Sequence, residues 1–329
     1  MKEFNFYARG QSLIGIILVL VIVGLISGGL YYYFQRQIPE APEITEESSE
    51  EKNPPEPSSL AQVFLSSNSL EQGDTLFIKV VSQFGIDEPT GRLSSEAINF
   101  FEPAGGKEWW GIVGIDVKME PGMYDLIVDF SGGDKFRQQV NVIKRKFPIT
   151  ELLVTKELKE KGYSQEKIVE DVTTKENLIL KKILDVYTPK AYFNKAFVYP
   201  LEKIKDVGAF GNIRKYGDLA LQHLGVDLDA TVGTPVYAIN DGMVCFSGEL
   251  NTYGKTLIVE HGLGIFSLYL HLSKFNVLND ERIERGDIIG LSGNTGYSIA
   301  PHLHFSVKVN KTGVDPLRFI RTIEKETIR

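Results

Sequence analysis

The sequence contains five histidines, and all of them fall between His223 and His304. Pro301-His302-Leu303-His304-Phe305-Ser306-Val307-Lys308-Val309 alternates apolar Leu303, Phe305, Val307 and Val309 with polar positions. Successive side chains of a strand point to opposite faces, so this spacing predicts a strand with His302, His304 and Ser306 together on the face away from the core. His223-Leu224-Gly225-Val226-Asp227 sets a carboxylate four residues after an imidazole. Gly225, Val226 and the following Thr231-Val232-Gly233-Thr234-Pro235 argue against helix, so this piece reads as a turn leading into a strand. A third run, Phe266 to Ser273, predicts a strand that groups His271 with Tyr269 and Ser267, opposite Leu268, Leu270 and Leu272. His261 ends the run Leu257-Ile258-Val259-Glu260 beside apolar Leu257 and Val259 and reads as structural.

Such residue types suit a metal. Zinc takes neutral imidazole nitrogen and carboxylate oxygen, and a catalytic site uses three protein ligands with the fourth position open. Bound zinc brings the pKa of water to about 7 and polarises a carbonyl, so an amide can be attacked without a covalent enzyme intermediate. One imidazole can then take the water's proton while a second stabilises the oxyanion or protonates the leaving amine. Taken singly, each histidine is explained as a hydrogen-bonded surface or core imidazole. Together, the histidine-to-aspartate element, the strand histidine and the His302/His304 pair make a metallohydrolase pattern. Spacing alone does not show that the pieces meet.

The remaining chain must position these groups. After Pro189, glycine-punctuated β runs continue to about Phe319, giving a mainly β C-terminal domain at 191–329. The loop Gly290 to Gly296 lacks the Gly-Lys-Ser/Thr of a phosphate loop and reads as a hairpin turn beside a groove. Cys245, in the apolar run Met243 to Phe246, reads as a small buried hydrophobe without a role. Residues 146–190 are dense in Glu and Lys with apolar residues at helical spacing, a helical connector. Within it, Thr173 and Glu176 fit a capping box, with Ile179, Ile183 and Tyr187 on one face. Residues 60–145 alternate short β runs with turns and predict a small β-sandwich, in which Trp109 and Trp110 pack rather than stack on sugar. Residues 38–59, rich in Pro, Glu and Ser, form a disordered acidic linker. Within residues 1–37, the uncharged run Leu13 to Tyr33 has the roughly 20 residues of a transmembrane helix. Lys2 and Arg9 before it and the acidic stretch after it place the N-terminus in the cytoplasm and the rest outside. The formal charge of −7 argues against a nucleic-acid partner.

Residues from about Phe197 to Phe319 resemble the lysostaphin/LytM-type family, metallopeptidase family twenty-three. The match includes Phe210-Gly211 with Arg214, His223-Leu-Gly-Val-Asp227, Gly233-Thr-Pro-Val236, Asp241-Gly-Met-Val244, Tyr253-Gly254, His261-Gly262, Tyr269-Leu-His-Leu-Ser273, Gly290 to Gly296, Pro301-His-Leu-His-Phe305 and Asp315-Pro316. The resemblance implies a twisted antiparallel sheet, one zinc ion held by His223, Asp227 and His304, and His271 and His302 as the catalytic pair, with their individual roles open. It also implies an endopeptidase that cuts peptide cross-links or stem peptides of bacterial peptidoglycan, which together with the Leu13 to Tyr33 run reads as a membrane-anchored enzyme acting on the periplasmic or cell-wall side, with envelope partners that regulate it. The alternative is a non-catalytic envelope protein that binds peptidoglycan or activates another hydrolase. A further rival rests on Arg9-Gly10-Gln11-Ser12-Leu13-Ile14, which resembles the leader junction of type IV pilin-like proteins. Gly15 stands where that family usually has glutamate.

Overall fold

The computed structural model describes residues 61–83, 85–103 and 107–327. The Leu13 to Tyr33 run, the leader-like junction and the acidic linker lie outside the described residues. Among the described residues no helix is long and apolar enough to cross a membrane.

The described chain is mainly β. Two sheets come first. One orders β1 (Gln62–Leu65), β3 (Thr75–Val81), β7 (Glu108–Gly114) and β6 (Phe100–Phe101). The other orders β2 (Ser69–Glu71), β9 (Lys135–Ile143), β8 (Gly122–Asp129), β4 (Thr90–Leu93) and β5 (Glu96–Ile98). Leu76, Ile78, Val80, Val113 and Ile115 of the first pack on Leu93, Leu126, Val128, Val140 and Val142 of the second, the layered solution for strands with one apolar face. Phe77, Trp110 and Ile112 point the other way and join the core of the C-terminal sheet, so the first sheet is apolar on both faces. Trp110 stands edge-on to Phe77 and Phe101, and half-buried Trp109 donates its indole N–H to the Ile86 carbonyl (3.3 Å), so both tryptophans pack.

A short strand, β10 (Ile149–Glu151), leads into α1 (Lys156–Glu160), α2 (Gln165–Glu170), a six-residue π-helical stretch Asp171–Glu176 and α3 (Asn177–Leu184). The sequence expectation of a capping box fails here. The caps are Thr155 and Ser164, which accept from the N–H of Leu158 and Lys167, while the Thr173 hydroxyl lies mid-run and bonds back to the Val169 carbonyl. Glu176 turns inward and accepts the Thr252 N–H (2.6 Å). The buried face of α3 is Leu180, Ile183 and Leu184, whereas Ile179 and Tyr187 are exposed, because the π turn rotates the helix and the helix ends before Tyr187.

The C-terminal part is built on a wholly antiparallel sheet ordered β11 (Asp206–Gly208), β14 (Val226–Asp229), β22 (His302–Val309), β18 (Ile265–Leu272), β17 (Gly254–Gly262), β16 (Gly242–Leu250) and β20 (Arg282–Ile283), with β23 (Thr312–Val314) beside β22. On one face Leu303, Phe305, Val307, Val309, Tyr269 and Leu257 pack against α4 (Pro316–Thr327) through Phe319, Ile320 and Ile323. A hairpin, β12 (Ile213–Tyr216) and β13 (Leu219–Gln222), extends from β10, and a three-stranded sheet orders β15 (Pro235–Tyr237), β21 (Ile288–Leu291) and β19 (Lys274–Phe275). The Gly290 to Gly296 loop is therefore not a hairpin. It carries the chain from β21 across to β22 in the larger sheet, beside the groove described next.

Candidate metal centre

Sheet register brings the charged groups together. Asp227 of β14 stands opposite His304 of β22, and His304 stands opposite Leu270 of β18 on its other side. Directly opposed residues share a face, so the carboxylate and imidazole meet on the face away from α4. His223 enters from the turn before β14, pinned where its N–H donates to the Asn212 carbonyl and its carbonyl accepts from Gly211 N–H.

Three atoms converge. His223 Nε2 is 3.0 Å from Asp227 Oδ1 and 2.9 Å from His304 Nδ1, and His304 Nδ1 is 2.9 Å from the same Oδ1. The outer atoms fix which way each group faces. His223 Nδ1–H donates to the Ala209 carbonyl (3.0 Å), which leaves Nε2 as a lone pair. His304 Nε2 bonds Ser306 Oγ (2.9 Å), leaving Nδ1 toward the centre. Arg214 Nη2 holds Asp227 Oδ2 at 3.1 Å and frees Oδ1. Burial alone would raise the Asp227 carboxyl, but the contacts with His223 and His304 outweigh it and hold the group well below the usual carboxylate range. Burial pushes His304 down to about 4 even with Asp227 beside it, so this imidazole stays neutral, as a ligand must be.

Two lone pairs and an ionised carboxylate oxygen thus face one another, and a cation is the group that answers them. The donor atoms lie 2.9–3.0 Å apart, close to the roughly 3.3 Å that zinc–ligand distances near 2.0–2.1 Å would ask of them. Donor types, second-layer hydrogen bonds and triangle size all fit zinc.

Two further imidazoles flank the triangle. His302 Nδ1–H donates to the Ala300 carbonyl (2.8 Å), and its Nε2 lies 3.6 Å from Asp227 Oδ1. His271 Nδ1–H donates to the Thr295 carbonyl (2.9 Å), and its ring centre is 4.8 Å from that of His302. Each keeps an open Nε2. Burial, then the charges of His302 and His304, keep His271 well below its ordinary value.

The expected orientation of His271 is corrected. Tyr269 and Leu272 both lie in the core, while Leu268 and Leu270 face the opposite side and line one cavity with His271. Alternation breaks because His271 has φ +61°, a left-handed conformation that costs a side-chain-bearing residue about 1–3 kcal/mol. His261 stays apart. It is fully buried, with Nδ1–H donating to the Asp241 carbonyl and Nε2 2.8 Å from Ser267 Oγ, and burial pushes it down to about 4. Cys245 is pushed up to about 12 by burial, an inert thiol.

The cavity over the site holds about 370 Å³ and is roofed by the chain itself. Its sheet side carries His223, His271, His304, Leu268 and Leu270, while Leu152, Ile168, Val172 and Leu180 close it from the segment before β11. Leu180, Ile183 and Leu184 pack on Ile258, Phe266, Leu268 and Leu270, the apolar part of the site face. Leu152 and Ile168 pack on Tyr216, Leu221 and Tyr297, and Tyr297 Oη donates to the Leu153 carbonyl. Sequence reading missed Ser306 and Arg214 as supports and this cover as a wall.

Residues 221–316 match the sequence profile of Peptidase family M23. Among similar curated proteins are the glycyl-glycine endopeptidase ALE-1 of Staphylococcus capitis, 46% identical over 106 residues, and the peptidoglycan DD-endopeptidase ShyA of Vibrio cholerae, 38% identical over 96 residues. These alignments cover 30% and 29% of this chain, and 29% and 22% of those proteins. The chain thus spans less than a third of their length. A solved structure, of a putative M23 peptidase from Pseudomonas aeruginosa, shares the fold over 76% of this chain and 94% of its own, with TM-score 0.54 and 23% identity.

Proposed function

From a chain that carries a peptidase family M23 domain, we propose a zinc-dependent endopeptidase that hydrolyses peptide bonds in bacterial peptidoglycan. The observation that carries this reading is the convergence of His223 Nε2, Asp227 Oδ1 and His304 Nδ1, with the open Nε2 atoms of His302 and His271 beside them. The similar proteins named as endopeptidases support the substrate class.

When bound, zinc supplies Lewis acidity toward a carbonyl and lowers the pKa of a water. The chain's own residues do the rest. Asp227, steadied by Arg214, keeps its negative charge at the centre. His302 and His271, each oriented by a backbone carbonyl, present an open Nε2 that can take a proton from the attacking water and pass one to the leaving amine. A wall polymer reaches these atoms when the cover from Leu152 to Leu184 moves aside. The uncharged Leu13 to Tyr33 run supports an anchor in the cytoplasmic membrane with the domain on the outer side.

The test is zinc content and release of fragments from purified cell walls by the full chain, beside a His304→Ala variant. One zinc per chain, and wall digestion abolished in the variant, is the expected result. Zinc without digestion would favour the non-catalytic alternative, and no zinc would overturn the reading.

A further inference from the structure

The polar row of β22 does not end at Ser306. Lys308, the next residue on that face, lines the same cavity as His223, His271 and His304. It stands opposite Phe266 on one side and Gly313 on the other. A β-carbon at Gly313 would come within 2.9 Å of Lys308 Nζ and 3.3 Å of the Leu224 β-carbon, so the missing side chain is the space the lysine occupies.

Long lysine side chains ordinarily deliver the ammonium to water. Here burial pushes the pKa down to about 8, and among the described residues Lys308 forms no ion pair. The carboxylate whose charge it feels is Asp116, which already accepts the backbone N–H of Lys118 (2.7 Å). Lys118 lines the same cavity, so this end carries two ammonium groups and one carboxylate. The proton-transfer steps above use none of them.

Resting on the peptidase reading, we propose that Lys308 is a specificity residue that binds a free carboxylate on the substrate peptide, three to four residues from the bond that is cut. The spacing follows from the strand. Lys308 lies four positions beyond His304, about 14 Å at roughly 3.4 Å per residue, and an extended peptide lying along the groove advances by the same repeat. Peptides carry their negative charge as carboxylates, and amidation removes it.

The experiment uses the full chain and two synthetic cross-linked wall peptides identical except for a carboxylate or a carboxamide at that position. A charged hydrogen bond of the usual strength gives the wild type a preference of about 10- to 100-fold in kcat/KM for the acid form. Lys308→Gln cuts the acid form slower by that factor and leaves the amide form unchanged, while Lys308→Arg keeps the preference. Equal cutting of both peptides by the wild type, or a preference that survives Lys308→Gln, overturns the proposal. If the wild type cuts neither, the peptidase reading fails, and calorimetric binding of the two peptides then decides: tighter binding of the acid form, levelled by Lys308→Gln, supports the role of Lys308, and equal binding refutes it.

Discussion

His261, fully buried, and His304, half-buried, lie on the same antiparallel sheet, and loss of solvent pushes both down to about 4, yet they occupy opposite chemical situations. Around His261 the protein answers both ring nitrogens, with the Asp241 carbonyl and the Ser267 hydroxyl. In the groove, the protein anchors each of His223, His271, His302 and His304 through one nitrogen to its own backbone or to Ser306. The second nitrogens of His223 and His304 converge on Asp227 Oδ1, and that of His302 lies 3.6 Å from the same oxygen. Burial and a depressed pKa therefore do not distinguish a working imidazole from a structural one. The count of nitrogens left for something outside the protein does.

The sharpest way to break the comparison is to remove a converging nitrogen. His223→Ala or His304→Ala should take zinc from one per chain to none and wall hydrolysis to background, by metal analysis and a turbidity assay. His271→Ala or His302→Ala should keep the zinc and lower kcat by about 10²- to 10⁴-fold, the usual worth of a positioned acid or base. Next in size, Ser306→Ala loosens the outer nitrogen of His304 and should weaken zinc binding by about 10- to 100-fold, by competition with a chelator. Changing His261 should leave zinc and kcat unaltered and alter stability alone. Its folded pKa lies below the unfolded value near 6.5, so the unfolded chain binds the extra proton and stability falls as pH drops from about 6.5 toward 4, by about 3 kcal/mol. A His261→Gln variant, less stable at pH 7 by about 1–3 kcal/mol, should lose that slope in denaturant titrations.

What the sequence made legible follows from how local each signal is. The β22 strand was readable because a period of two is written into Leu303, Phe305, Val307 and Val309, and His302 and His304 follow from it. The turn after His223 was readable from Gly225, where a β-carbon would strike Ser306 Oγ and His304 Nε2. The meeting of Asp227 with His304 was not, because it depends on β14 pairing with β22, a choice made by the whole sheet. His271 was misoriented because alternation assumes extended backbone throughout, and no glycine marks the left-handed turn there. The Ala209 and Thr295 carbonyls that set two of the tautomers belong to the backbone and leave no side-chain signature. The capping box failed because Thr173 and Glu176 have the right spacing inside a helical run that had already begun at Ser164.

The cover also has a meaning in time. A ribosome completes residues 152–184 before it reaches His223, and it adds His302 and His304 last. The cover is thus already synthesised when the strand that finishes the triangle emerges, but the residues it packs on, Ile258, Phe266, Leu268 and Leu270, come after it, so cover and groove close together.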